Sequence, residues 1–119
     1  MVLVDTSIWI THLREGSARL RELLRDGQVV CHPFIVGELA LGNMRNRAEI
    51  LALLQALAVT PTVSLQELLY FVEQHRLTGT GIGFVDTHLL ASALLSKLPL
   101  WTTDARLRAV AVRLGLAYR

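Results

Sequence analysis

Cysteine and long hydrophobic runs are the features that this sequence of 119 residues most obviously lacks. Cys31 is the only cysteine, which excludes an intrachain disulfide and a cysteine-based zinc cluster. No basic segment precedes an apolar stretch at the start, and Glu, Gln, Pro or Thr interrupts every long apolar segment. We therefore expect a cytoplasmic protein that is neither exported nor inserted into a membrane.

Charge is also scarce, and lysine is almost absent. Charged residues make up 18% of the chain and hydrophobic residues 52%, so we expect a partner to cover part of the apolar surface. Eleven of the twelve basic residues are arginines, which bind phosphate in bidentate geometry. This bias is compatible with RNA binding, and equally with a GC-rich genome. The length predicts one domain spanning residues 1–119.

Short apolar segments alternate with helical patterns along the chain. Strands are predicted at residues 1–5, 29–32 and 98–101, with further short strands at 60–63 and 116–118. Helices are predicted at residues 8–14, 33–42, 45–57, 64–76, 85–96 and 104–114. The alternation predicts an α/β fold with a parallel sheet sandwiched by helices, and such sheets bind ligands beyond the carboxyl ends of their strands.

Four acidic residues occupy unusual places in this pattern. Asp5 ends the first strand, Asp86 and Asp104 begin helices, and Glu38 lies within a largely apolar helix. Helix capping is the simpler interpretation of each aspartate, and for Asp104 alone it is the favoured one. If the four carboxylates converge, their repulsion destabilises the fold unless a divalent cation binds, and hard carboxylate oxygens favour Mg²⁺ or Mn²⁺.

Glu38 is the most unusual of the four. Its spacing from Phe34, Ile35 and Leu41 predicts a carboxylate on the apolar stripe of its helix, where it would need a partner or a cation. A glutamate at the edge of the stripe that reaches solvent is the alternative.

Four segments together resemble the signature segments of PIN domains, specifically those of VapC-type toxin ribonucleases from type II toxin–antitoxin systems. They are V-D-T-S-I-W-I, F-I-V-G-E-L, G-I-G-F-V-D-T-H-L-L-A-S-A and L-W-T-T-D-A-R-L, and they occur in order along nearly the whole chain. The resemblance implies a metal-dependent endoribonuclease that hydrolyses RNA phosphodiester bonds with metal-activated water. It also implies a homodimer and a groove for a cognate antitoxin.

The resemblance also implies roles for individual residues. Asp5, Glu38, Asp86 and Asp104 would be the catalytic residues and the ligands of Mg²⁺ or Mn²⁺. Ser7 and Thr102 match small hydroxyl positions near that site.

One departure from the family pattern follows the last of these acids. Many relatives carry a further acid there, whereas this chain has Ala105 and Arg106, so we expect at least one metal and leave a second one open. Arg14 and Arg106 are candidate contacts to substrate phosphates, although exposed arginines are often merely solvated. No motif specifies the RNA, whether a tRNA or an rRNA.

Two other hypotheses compete with the nuclease. A Mg-dependent phosphoacceptor signalling domain would carry adjacent acids after the first strand and a lysine after the last. Here Thr6 and Ser7 follow Asp5, and the only lysine is Lys97 at a helix end. A catalytically silent PIN-like scaffold that binds RNA or a partner has no reason to keep four acids in these places.

Overall fold

The four strands form one parallel sheet. In the computed structural model, which describes all 119 residues, the strands are β1 (Val2–Val4), β2 (Val29–Cys31), β3 (Ala58–Val59) and β4 (Leu100–Trp101). Their spatial order is β3-β2-β1-β4, and every pairing is parallel. A single bridge between Leu100 and Ala117 adds the C-terminal segment to the β4 edge, as predicted for residues 116–118.

Seven helices accompany the sheet. They are α1 (Thr6–Glu15), α2 (Ala18–Arg25), α3 (Pro33–Ala40), α4 (Arg47–Ala56), α5 (Leu65–Gln74), α6 (Phe84–Ser96) and α7 (Ala105–Arg113). None of them is long and apolar enough to cross a membrane. The predicted α/β fold is therefore confirmed.

The structure adds one helix and corrects one local prediction. No helix was predicted between residues 15 and 28, but Gly16 adopts φ 85° and ends α1, and the Ser17 side chain caps α2 by accepting from Leu20 N at 3.2 Å. The strand predicted at residues 60–63 is wrong, because β3 lies just before Thr60 at Ala58–Val59. Pro61 has no amide hydrogen to donate and stands where that strand would continue.

Local capping explains where several helices begin. Ser64 and Glu67 form the predicted capping box of α5. Glu67 N donates to Ser64 Oγ at 3.1 Å, and Ser64 N donates to Glu67 Oε1 at 2.8 Å. Pro33 occupies the first turn of α3, and His32 Nδ1 accepts from Phe34 N at 2.9 Å.

The core surrounds β1 and the middle of α6. Val2, Leu3 and Val4 are all at most 1% exposed, and because successive strand residues face opposite sides, both faces of the sheet must be covered. In α6 every residue from Thr87 to Ala93 is buried. The adjacent polar residues Asp5 and Asp86 are thus attached to the most deeply buried elements of the fold.

Candidate active site

The carboxyl ends of β1 and β4 meet at one edge of the sheet and bring two sequence-distant segments together. Val4 pairs with Trp101, and Asp5 N donates to Trp101 O at 2.9 Å. Asp5 therefore lies beside Thr102, and Asp104 follows two residues later.

Asp5 is a buried carboxylate, 5% exposed, and one of its oxygens is fully engaged. Its Oδ2 accepts from Thr102 Oγ1 at 2.7 Å, from Ser7 Oγ at 2.8 Å and from Ser7 N at 3.4 Å. The last bond makes Asp5 the N-cap of α1, so the capping interpretation is correct as far as it goes. Capping uses Oδ2 and leaves Oδ1 without a protein hydrogen bond.

The Ser7 and Thr102 hydroxyl groups connect the Asp5 carboxylate to the backbone just before α7. Ser7 Oγ accepts from Thr103 N at 3.1 Å, and Thr102 Oγ1 accepts from Asp104 N at 3.0 Å. Because both hydroxyls accept from backbone amides, their own protons are directed at Asp5. This arrangement fixes the orientation of the Asp5 carboxylate and couples it to the position of Asp104.

Asp104 caps α7, as its position in the sequence indicated. Its Oδ1 accepts from Leu107 N at 2.9 Å, while the residue itself is exposed. The other oxygen, Oδ2, accepts no hydrogen bond from the protein.

Asp86 lies in the first turn of α6, where its Oδ2 accepts from Gly83 N at 3.4 Å. Burial is the main cause that raises its pKa, and the negative charges of Asp5, Asp104 and Glu38 raise it further. The bond from Gly83 opposes this effect. All four predicted acids therefore lie close enough for three of them to act electrostatically on the fourth.

The expectation that Glu38 lies on the apolar stripe of α3 is wrong. Helix α3 buries Ile35 and Leu39, whereas Glu38 is exposed, because the buried face of the helix is centred on those two residues. Its Oε1 accepts from Thr6 Oγ1 at 2.7 Å, so the first turn of α1 orients it. The alternative, a glutamate that reaches solvent, is the correct one.

The two candidate arginines lie in different places. Arg14 is exposed near the end of α1, roughly 13 Å along the helix from its start next to Asp5. Arg106 is exposed in the first turn of α7, and its side chain covers Gly81 in the loop that precedes α6. Asp5, Glu38, Asp86 and Asp104 are together called the acidic cluster. The structure brings Arg106 to the edge of the acidic cluster and leaves Arg14 apart from it.

Sequence reasoning missed two groups that orient the acids. Thr6 holds Glu38, and the amide of Gly83 holds Asp86. Thr6 lies directly after Asp5, but its partner is 32 residues away, and no local pattern could identify it. The position of Gly83, three residues before Asp86, is a recognisable N-cap signal.

Similarity to known proteins identifies the family of this chain. Residues 2–113 match the family described as the PIN domain. The chain belongs to the PIN domain family. Ribonuclease VapC32 of Mycobacterium tuberculosis, from strains CDC 1551 / Oshkosh and ATCC 25618 / H37Rv, is 48% identical over 118 residues, which cover 98% of this chain and 95% of that protein.

Two solved PIN-like structures share the fold at low sequence identity. FitAcB from Neisseria gonorrhoeae has a TM-score of 0.66 at 18% identity, covering 98% of this chain and 95% of that chain. PAE2754 from Pyrobaculum aerophilum has a TM-score of 0.63 at 20% identity, covering 96% of this chain and 94% of that chain. The resemblance inferred from the four sequence segments is thus confirmed.

The donor chemistry of this PIN domain suits a hard divalent cation. Each of the four carboxylates uses a single oxygen for hydrogen bonds within the protein and keeps the other free. No three His, Cys, Asp or Glu side chains are already close enough together to hold a metal ion. The charges of Asp5, Glu38 and Asp104 all act on Asp86, so the four carboxylates are near one another, and their free oxygens fit Mg²⁺ or Mn²⁺ once the exposed Glu38 and Asp104 side chains adjust.

Proposed function

We propose that this protein is a VapC-type endoribonuclease that hydrolyses RNA phosphodiester bonds with a divalent metal ion, Mg²⁺ or Mn²⁺. The observation that carries the proposal is the set of four carboxylates at the sheet edge, each with one oxygen free. Its support from relatives is the 48% identity to Ribonuclease VapC32. We assign Asp5, Glu38, Asp86 and Asp104 as catalytic residues and metal ligands.

The four carboxylates would have different roles in binding the cation. Asp5, held by the Ser7 and Thr102 hydroxyls, gives a carboxylate of fixed orientation, which lowers the entropic cost of binding a cation. Asp86 and the exposed Asp104 and Glu38 would complete the oxygen set. A divalent metal bound there would activate water for attack on phosphorus and offset the charge that develops on the phosphate oxygens.

Without a cation, the site would repel its substrate. Burial is the main cause that raises the pKa of Asp86, and the negative charges of the other three carboxylates raise it further. A phosphodiester would add a further negative charge, so RNA binding at the carboxylates requires a compensating cation. This reasoning supports the metal dependence of the reaction.

The test is cleavage of total RNA and a tRNA panel by the purified protein with and without Mg²⁺ or Mn²⁺. Asp86→Asn is expected to lower the rate by about a hundredfold or more, since it removes a charged ligand while keeping nearly the same shape. Asp26→Asn is the matched control, because Asp26 is an exposed residue at the end of α2, outside the site. Equal activity of the two variants would contradict the role assigned to Asp86, and no cleavage by the folded wild type with metal present would favour a silent binding scaffold.

We also propose that the protein acts as the toxin of a toxin–antitoxin pair in the cytoplasm and forms a homodimer. Helices α5 and α6 expose large apolar side chains that border a groove of about 520 Å³, namely Tyr70, Leu94 and Leu95. An apolar face of this kind supports the expected protein partners. Co-expression with the product of an adjacent small reading frame should suppress growth arrest and yield a stable complex, and failure of both would contradict the toxin assignment.

A further inference from the structure

A basic groove runs along α7, away from the acidic cluster. It has a volume of about 420 Å³ and is lined by Thr80, Ala105, Arg106, Ala109, Val110 and Arg113. We propose that this groove binds the sugar–phosphate backbone of the RNA strand beside the phosphodiester that is cut, with Arg106 and Arg113 contacting different phosphates. This inference rests on the proposed ribonuclease function and extends it to the path of the substrate.

The two arginines are arranged as a row on one face of α7. They are seven residues apart, which places them on the same side of the helix at a separation of roughly 10 Å along its axis. Ala109 lies between them and, having only a methyl side chain, keeps the groove open. This separation is too large for both guanidinium groups to bind a single phosphate.

Arg106 is positioned by Gly81, in the loop that precedes α6. A Cβ atom at Gly81 would lie 3.1 Å from both Cδ and Nη1 of Arg106, so the arginine side chain rests directly on the glycine backbone. Two residues later, the Gly83 amide binds the Asp86 carboxylate. The same short loop therefore contacts both the basic groove and the acidic cluster, which makes the two continuous.

Arg113 is anchored at the far end of the groove. Its Nη2 donates to His75 O at 2.7 Å, which leaves Nη1 and Nε available for another acceptor. Neither Arg113 nor Arg106 has an acidic partner, since the only ion pair within 4.0 Å in the protein joins Arg19 and Glu22. The positive charge of the groove is thus uncompensated.

A polyanion fits this pattern of charge better than an acidic protein segment does. The strand would pass from carboxylates that need a metal to neutralise one phosphate into a groove whose arginines neutralise the next ones. Guanidinium groups match phosphate oxygens in bidentate geometry, and phosphates recur regularly along a strand. The groove is open rather than enclosed by apolar walls, so it would read backbone and not base sequence.

The test measures binding of a short fluorescein-labelled single-stranded RNA by anisotropy, in chelator, between about 0.05 and 0.2 M salt. Arg106→Gln and Arg113→Gln are each expected to raise Kd about fivefold near 0.1 M salt and to lower the slope of log K against log salt by about 0.7. Arg108→Gln is the matched control, because Arg108 is exposed on the same helix but does not line the groove. Arg106→Lys, which keeps the charge, should retain most of the slope.

Activity with metal present separates the groove from the active site. The groove variants are expected to raise KM for RNA with little change in kcat, and thermal denaturation checks that Arg113→Gln remains folded despite losing its bond to His75. If the wild type cleaves RNA but both groove variants bind it like Arg108→Gln, the groove inference is wrong and the nuclease proposal stands. If the wild type neither binds nor cleaves RNA, both are wrong. Groove variants that keep RNA affinity but lose antitoxin binding would assign the groove to an acidic protein segment and overturn the inference.

Discussion

Acidification should destabilise the folded protein through His32, a residue buried between the sheet and α3. Its side chain is 0% exposed, and its Nδ1 caps α3 by accepting from Phe34 N at 2.9 Å. Nδ1 must therefore be unprotonated, and the neutral ring carries its proton on Nε2, which has no hydrogen-bond partner. A second proton would both break the cap and place a charge in the core.

The size of the effect follows from the pKa. Burial is the main cause that lowers the pKa of His32 to about 4 from its ordinary value of 6.5, and neighbouring His88 lowers it further. Since the unfolded chain binds the proton more readily, the contribution of His32 to stability is complete above about pH 6.5 and is lost as the pH falls toward 4. At about 1.4 kcal/mol per pH unit, the loss is at most about 3 kcal/mol, and relaxation of the protein around the charged ring lowers the expected value to about 2 kcal/mol.

Urea unfolding between pH 8 and pH 4 measures this loss when the wild type is compared with His32→Asn. Asparagine keeps a side-chain oxygen at the N-cap of α3 but does not titrate in this range. The variant should be less stable near neutral pH because it loses the ring contact with Phe34, whose centroid lies 5.0 Å away. The difference in unfolding free energy between the two proteins should then shrink by about 2 kcal/mol as the pH falls.

Two outcomes would refute this reasoning. The carboxylates titrate alike in both proteins, so a difference in unfolding free energy that does not change with pH would show that His32 does not account for the acid sensitivity. Direct titration of the His32 ring by NMR gives the second check, because a pKa near 6.5 in the folded protein would contradict the buried, unprotonated cap.

Three further predictions concern the loop that precedes α6, the hydroxyl group of Thr102 and the apolar face of α5 and α6. Gly79 and Gly81 both adopt positive φ (80° and 82°), but only a Cβ at Gly81 meets the Arg106 side chain. Gly79→Ala is expected to cost about 1 kcal/mol of unfolding free energy, and Gly81→Ala should lower Tm further; equal losses of Tm would exclude that contact. Thr102→Val removes the hydroxyl that donates to Asp5 and should lower the rate of RNA cleavage about 10- to 100-fold. Thr103→Val, at an exposed neighbouring position, should leave the rate unchanged, and similar losses in both variants would argue against a role for the Thr102 hydroxyl. Leu95→Glu, at a position 58% exposed on α6, should convert a dimer into a monomer by light scattering while the circular dichroism spectrum stays that of the folded protein. An unchanged molar mass would place the dimer interface elsewhere.

Much of the fold follows from local pattern. The apolar segments before Asp5 and Asp104 became strands, and the Ser64 capping box and Pro33 mark helix starts as predicted. These signals act within a few residues, through hydrogen-bond capping and the periodic burial of apolar side chains, so they can be recognised along the chain. Helix α2 was not predicted, although the Ser17 side chain caps it directly after Gly16, which ends α1 with a positive φ.

What the amino-acid sequence determined by itself was which residues could form the site; which atoms meet was decided by the tertiary structure. The pairing of β1 with β4 brings Thr102 to Asp5 across 97 positions of sequence, and packing of α3 turns Glu38 toward Thr6 and away from the core. The contact of Arg106 with Gly81 likewise depends on how α7 packs against a distant loop. Such contacts depend on the relative placement of whole elements, which the core sets, and periodicity within one segment carries no information about it.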